Sequence, residues 1–346
     1  MSRIARWLSA GILACGLLAG PVIAADTTSA QEQAQRQATQ PGNNAPVWRD
    51  VRGGENPYQT SQVRGRESTV LVQPAGETWR QLRNGPVTVY GGWLIVLMMI
   101  AIGAFYGFKG PIKLQEKPTG RRVQRFSAWD RMVHWGAAIS FVLLAVTGIV
   151  ILFGKHILLP VIGYTLFSYL AILSKNVHNF MGPLFAFCTI LMFVTFVKDN
   201  LPSGDDIKWF LKGGGLFTGE HVPSGRFNAG EKTWFWGGVT LLGIVVSVTG
   251  FVLNFPNFDQ TRELMQQANI IHAISAVVFI TLSLGHIYMG TLGVEGAYDS
   301  MRTGYVDEVW AKEHHERWYH EVAERPQGGG STRPAPANSM KEGWKV

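Results

Sequence analysis

The chain has 346 residues, 47% of them hydrophobic and 12% aromatic, with a net charge of +7. That length would hold two soluble domains, but the apolar residues gather in long runs free of Asp, Glu, Lys and Arg, which reads as a membrane protein. The positive charge sits in the loops between those runs, which removes the case for a nucleic-acid partner. The two cysteines, Cys15 and Cys188, are too few for a disulfide framework, a zinc site or an iron–sulfur cluster.

Residues 1–24 read as a secretory signal peptide. Arg3 and Arg6 form a basic start, residues 7–20 are apolar, and small residues lead up to Ala24. An uncleaved anchor is the rival. A lipoprotein box ending at Cys15 is disfavoured because the apolar region continues past that cysteine. Residues 25–86 are polar and cannot bury a core of their own. They are expected to form a periplasmic extension, either an unstructured tether or a segment that orders against a partner, with one short β-like piece at 68–72.

Five apolar segments follow, at 87–108, 132–153, 176–197, 233–255 and 268–292. Each has about 22 residues or slightly more, enough to cross a bilayer with modest tilt. The fold class is therefore an all-α integral membrane protein with five transmembrane helices. Lys109, Lys113, Lys117, Arg121, Arg122, Arg125 and Arg131 fill one loop, and Lys198, Lys208, Lys212, Arg226 and Lys232 another. The loops between carry only Lys155, Lys175 and Arg262. The two basic loops are placed in the cytoplasm, which puts the extension outside and the tail, 294–346, inside. The apolar stretch 156–174 competes for a sixth span. It holds Pro160 and Gly163, follows the preceding span almost without a turn, and would reverse the later spans, so it is expected to be an external interfacial or re-entrant piece.

Four histidines lie in or at the ends of these spans: His134, His178, His272 and His286. His272 and His286 are fourteen residues apart, which on a helix returns to nearly the same face about 21 Å along the axis. The topology puts His178 and His272 near the outer face and His134 and His286 near the inner face. A haem iron with two protein ligands needs two imidazoles facing each other from different helices, and a four-helix bundle supplies that arrangement. Two histidines per level are too few for zinc. The expectation is two haems b stacked across the membrane, the outer held by His178 and His272, the inner by His134 and His286. A lone intramembrane histidine would more often serve in packing; four at paired depths carry the argument. Gly148 and Gly182 are bare patches that a flat macrocycle could use, although ordinary helix packing explains them equally well. Arg125, Arg131 and Lys232 stand where inner haem propionates could use a cation. His314, His315 and His320 in EHHERWYHE are read as part of a solvated amphipathic segment.

The segments FSAWDRMVHW, NVHNFMGPLF, RFNAGEKTWFW, NIIHAISAVVFITLSLGHIYM and WAKEHHERWYHE together resemble the cytochrome b (gamma) subunit of respiratory, membrane-bound formate dehydrogenase. The likeness runs from about Arg125 to Glu321, in the same order and with similar spacing; residues 25–108 look like those of the longer family members. It implies a dihaem cytochrome b bundle over 125–293 with bis-histidine haems, paired as above, and an extra transmembrane helix at 87–108. It also implies a menaquinone or ubiquinone site beside the inner haem at Asn228, Gly230 and His286, with Glu231 or Lys232 nearby. The implied partners are an iron–sulfur (beta) subunit and a molybdenum or tungsten catalytic (alpha) subunit outside a bacterial inner membrane, with trimers of such complexes as a family expectation. Formate oxidation itself would lie in the partner; this chain would carry electrons inward and reduce quinone. The cytochrome b of a hydrogenase or thiosulfate reductase complex is the nearest alternative, and a haem-free anchor or transporter the alternative of a different class.

Overall fold

The computed structural model describes residue 39, residues 74–215 and residues 222–323. The signal peptide, the β-like piece at 68–72 and most of the extension lie outside the described residues. Among the described residues five helices are long and apolar enough to cross a membrane: Ala75–Lys109, Ala128–Ile157, Leu159–Phe196, Ala229–Asn254 and Arg262–Gly293. The chain is a multi-pass, all-α membrane protein, with every span longer than its apolar core.

The first span begins within the expected extension. Helix α1 (Pro74–Leu82) runs through a π-helical turn, Arg83–Val87, into α2 (Thr88–Lys109). Pro86 lies inside that turn, and the wider ring accommodates its missing N–H. Gly110, at φ 70°, ends α2 and donates its N–H to the Tyr106 carbonyl. The remaining elements are β1 (Arg122–Gln124), α3 (Ala128–Ile157), α4 (Leu159–Phe196), α5 (Gly204–Leu211), α6 (Ala229–Thr233), α7 (Gly243–Asn254), α8 (Arg262–Tyr288), α9 (Ala297–Arg302), β2 (Tyr305–Asp307), α10 (Glu308–His314) and α11 (Glu316–Ala323). A nine-residue π-helical stretch, Trp234–Leu242, joins α6 to α7, and another, Met289–Gly293, ends α8.

The chain divides into two compact units. In the first, residues 146–178, the end of α3 and the start of α4 form an antiparallel hairpin. Leu158 donates to the Gly154 carbonyl, and Val161 and Ile162 donate to that of Leu158. Gly163, at φ 75° and ψ 172°, then breaks the helix and turns it back. Gly154 lets Phe167 approach: a β-carbon there would lie 2.8 Å from the Phe167 ring. This corrects the expectation of a separate interfacial or re-entrant piece at 156–174. The stretch finishes one span, makes the reversal at Gly163 and begins the next.

The second unit holds residues 65–145 and 179–346, as far as they are described. Helix α8 packs along both α7 and α2, and Trp79 on α1 donates its indole N–H to Asn269 Oδ1 at 3.1 Å. The end away from that contact is closed by a small polar cap. Strands β1 and β2 pair antiparallel with Val123 opposite Val306, and Arg125 and Phe126 both donate to the Gly304 carbonyl. Under the cap lie Val306, Trp310, Ala311 and Trp318 in one buried cluster and Phe126, Phe196 and Phe235 in another. Much of the expected tail is thus folded against the loops.

Candidate functional site

His134 stands on α3 and His286 on α8, with ring centres 6.3 Å apart and planes tilted by 54°. A metal–imidazole bond of about 2.0 Å on each side, with each ring centre about 1.1 Å behind its nitrogen, gives a spacing of about 6 Å. The observed spacing leaves room for one iron between the two rings. Nδ1 of His134 is buried with no hydrogen-bond partner among the described residues. Such an orphan costs about 1–3 kcal/mol, so no hydrogen bond at Nδ1 among the described residues accounts for the position of this ring. Trp234 stacks on His286, with centres 4.8 Å apart and planes 13° from parallel. The π-helical stretch that starts at Trp234 is an irregularity of a kind that gathers at functional sites.

One heptad further along each helix lies an aromatic layer. Phe141 follows His134 by seven residues, Phe185 follows His178 by seven, and Phe279 lies midway between His272 and His286. The Phe141 and Phe279 ring centres are 4.7 Å apart, those of Phe141 and Phe185 6.0 Å, and those of Phe185 and Phe279 6.1 Å. Seven residues return to nearly the same helical face, so the layer sits on the histidine-bearing faces at half height.

The other two histidines fall in different units, and each has a local partner. In the first unit Thr147 Oγ1 is 2.9 Å from His178 Nδ1. In the second, Thr249 Oγ1 is 3.0 Å from His272 Nδ1. The residue after each threonine is a glycine. A β-carbon at Gly148 would lie 3.4 Å from His178 Cε1, and one at Gly250 would lie 3.3 Å from His272 Cε1. Each ring approaches the neighbouring helix closely at a glycine. Gly182 meets nothing within 4 Å of its β-carbon position.

Asn228 is the N-cap of α6. Its side chain accepts from the Glu231 N–H at 2.9 Å, and Glu231 Oε2 accepts from the Asn228 N–H at 2.9 Å. Gly230 packs under the Trp209 indole, where a β-carbon would come within 2.8 Å. Glu231 Oε1 also accepts from Arg125 at 2.9 Å, and the Arg125 guanidinium lies over Phe126, Phe227 and Trp310. Lys232 is held by both oxygens of Asp206, and Arg131 donates to the Arg302 carbonyl. The cations considered for propionates are thus engaged by groups of the chain itself.

His315 departs from the sequence reading. It is not part of a solvated face: it is 1% exposed, and its Nδ1–H donates to the Gly225 carbonyl at 2.9 Å. Burial, with the Arg125 guanidinium beside it, pushes this imidazole down to about 3, against the opposing effect of Glu231. The apolar cluster explains the difference: Trp318, Tyr319 and Val322 of α11 pack with Val306, Trp310 and Ala311, and His315, which joins α10 to α11, is carried in with them. Sequence reasoning also missed Trp234, Thr147 and Thr249. The signal for the threonines was available as a repeat, Val146-Thr147-Gly148 and Val248-Thr249-Gly250.

Residues 125–304 match the family described as prokaryotic cytochrome b561. The cytochrome b556(fdo) subunit of formate dehydrogenase from Escherichia coli (strain K12) is 32% identical over 204 residues, 58% of this chain and 93% of that protein. The cytochrome b556(Fdn) subunit of the nitrate-inducible formate dehydrogenase of the same strain is 33% identical over 199 residues, 56% of this chain and 88% of that one. The formate dehydrogenase cytochrome b556 subunit of Haemophilus influenzae is 30% identical over 210 residues, covering 58% and 83% respectively. The matched region holds all four span histidines, the aromatic layer and the Asn228 cap. The chain belongs to the prokaryotic cytochrome b561 family, as a member of its formate dehydrogenase cytochrome b subunits.

Proposed function

We propose that this chain carries electrons across the bacterial inner membrane, from an iron–sulfur subunit outside to quinone near the cytoplasmic face, as the dihaem b subunit of a respiratory formate dehydrogenase. The observation that carries the reading is the adjacent pair of imidazoles, His134 and His286, with centres 6.3 Å apart inside the family-matched region. The spans from Ala128 to Gly293 form the four-helix bundle of this reading. His134 and His286 would hold the inner haem and His178 and His272 the outer. Haem b so held would supply one-electron redox chemistry at two levels of the membrane.

The chain's own groups do the rest. Phe141, Phe185 and Phe279 exclude water between the two levels and keep the bundle packed there. Trp234 fixes the plane of His286 by stacking on it. The Asn228–Glu231 capping box orders the backbone at the start of its span, where Asn228, Gly230 and His286 are assigned to menaquinone or ubiquinone. Each Glu231 oxygen accepts one hydrogen bond, from Arg125 and from the Asn228 N–H, so its role is to hold the loop. The basic loops face the cytoplasm, the extension is periplasmic, and the molybdenum or tungsten enzyme docks on that outer side. Each charge moved inward against 100 mV stores about 2.3 kcal/mol.

A reduced-minus-oxidised spectrum of membranes given formate as sole reductant tests this. Two haems b per chain reducible by formate are expected. His286→Ala should leave one formate-reducible haem and no quinone reduction. Absence of a b-type spectrum, or quinone reduction at the normal rate in His286→Ala, refutes the assignment.

A further inference from the structure

The repeat around Thr147 and Thr249 has no role in the reading above, yet it meets His178 and His272 in the same way. Both threonines are buried, both contact Nδ1, and both precede a glycine against which the ring lies. The direction of one bond follows from hydrogen counting. Thr249 Oγ1 has a single proton, and it donates that proton to the Val245 carbonyl at 2.6 Å. Toward His272 it therefore offers a lone pair, and the ring must be the donor. With Nδ1 protonated in a neutral imidazole, Nε2 carries the lone pair. The contact at Thr147 has the same atoms and nearly the same length.

We infer that Thr147 and Thr249 are positioning residues that hold His178 and His272 in the Nδ1-protonated tautomer, presenting Nε2 as the ligating nitrogen of the outer haem. The inference rests on the four-ligand reading proposed above. Its consequence concerns direction. A hydrogen bond from the distal N–H makes an imidazole a stronger donor, and a stronger donor favours the oxidised iron. The inner pair lacks this support at His134, whose Nδ1 is buried without a partner among the described residues. The threonines would thus set the potential of the haem that receives electrons below that of the haem that passes them on.

The test is a potentiometric titration of the b-type absorbance of the purified membrane complex, with Thr147→Val, Thr249→Val, the double variant and Thr249→Ser. Valine keeps the shape and removes the acceptor oxygen; serine restores it. His286→Ala identifies the component belonging to His178 and His272. The expected result is an upward shift of that component in each valine variant, larger in the double variant, with the other component unmoved and Thr249→Ser close to wild type. Haem retention at that level should weaken about 10- to 100-fold in the double variant. Loss of this haem in valine variants with retention in the serine variant also supports the inference. Unmoved midpoints with two haems present, or equal haem loss in valine and serine variants, overturn it alone. Fewer than two haems in the wild-type complex overturns the four-ligand reading on which it stands.

Discussion

His315 makes the cap over the loops sensitive to acid. The ring is 1% exposed, wedged beside Trp310 and Trp318, with Nε2 3.8 Å from Glu231 and Nδ1–H bound to the Gly225 carbonyl. Glu231 would favour a proton on this ring, but its oxygens are already bound to Arg125 and to the Asn228 N–H. Burial and Arg125 win, and the folded imidazole is pushed from 6.5 to about 3. The ring is neutral in the closed cap and takes a proton when the cap opens, so acid favours the open form. Its contribution is whole above about pH 6.5 and is lost as pH falls toward about 3. At pH 5.5 the loss is about 1 kcal/mol, and at pH 4.5 about 3 kcal/mol. His315→Asn keeps a donor for Gly225 and cannot titrate. Hydrogen exchange of amides 308–323, corrected for intrinsic rates, should show the wild-type opening constant rising about tenfold between pH 7.5 and 5.5 relative to the variant. Identical pH profiles would refute the reasoning and would mean that the ring accepts its proton in place, paired with Glu231.

Glu231→Ala leaves the Arg125 guanidinium, whose side chain is 4% exposed, without its carboxylate. Because the Glu231 side chain is 35% exposed, the expected loss is about 2–3 kcal/mol, below the range for a fully buried pair, read as thermal unfolding in detergent. A loss under about 0.5 kcal/mol would mean that the pair is a surface contact only. Phe279→Ala opens the aromatic layer and should cost about 3 kcal/mol, while Phe279→Leu costs less than half of that. Equal costs would show that the layer is not packed as described.

The five spans and their order were legible in the sequence because a bilayer imposes a length and forbids charge, and both constraints act on consecutive residues. The four histidines stood out for the same reason, since polar groups in such runs need a cause. Phe141, Phe185 and Phe279 were not singled out from the sequence, because phenylalanines in apolar helices carry no mark of a layer. Tertiary structure decided what depends on residues far apart in the chain. The reversal at Gly163 joins two helices that hydropathy alone cannot divide. Thr147 and Thr249 matter only because another helix brings an imidazole to each. His315 is charged or neutral according to neighbours ninety residues away in Gly225 and further still in Arg125. The sequence by itself determined which segments are long and apolar enough to cross a membrane and which histidines lie in them. The tertiary structure decided how each imidazole is turned, because a ring's tautomer and plane are set by the group that meets its second nitrogen.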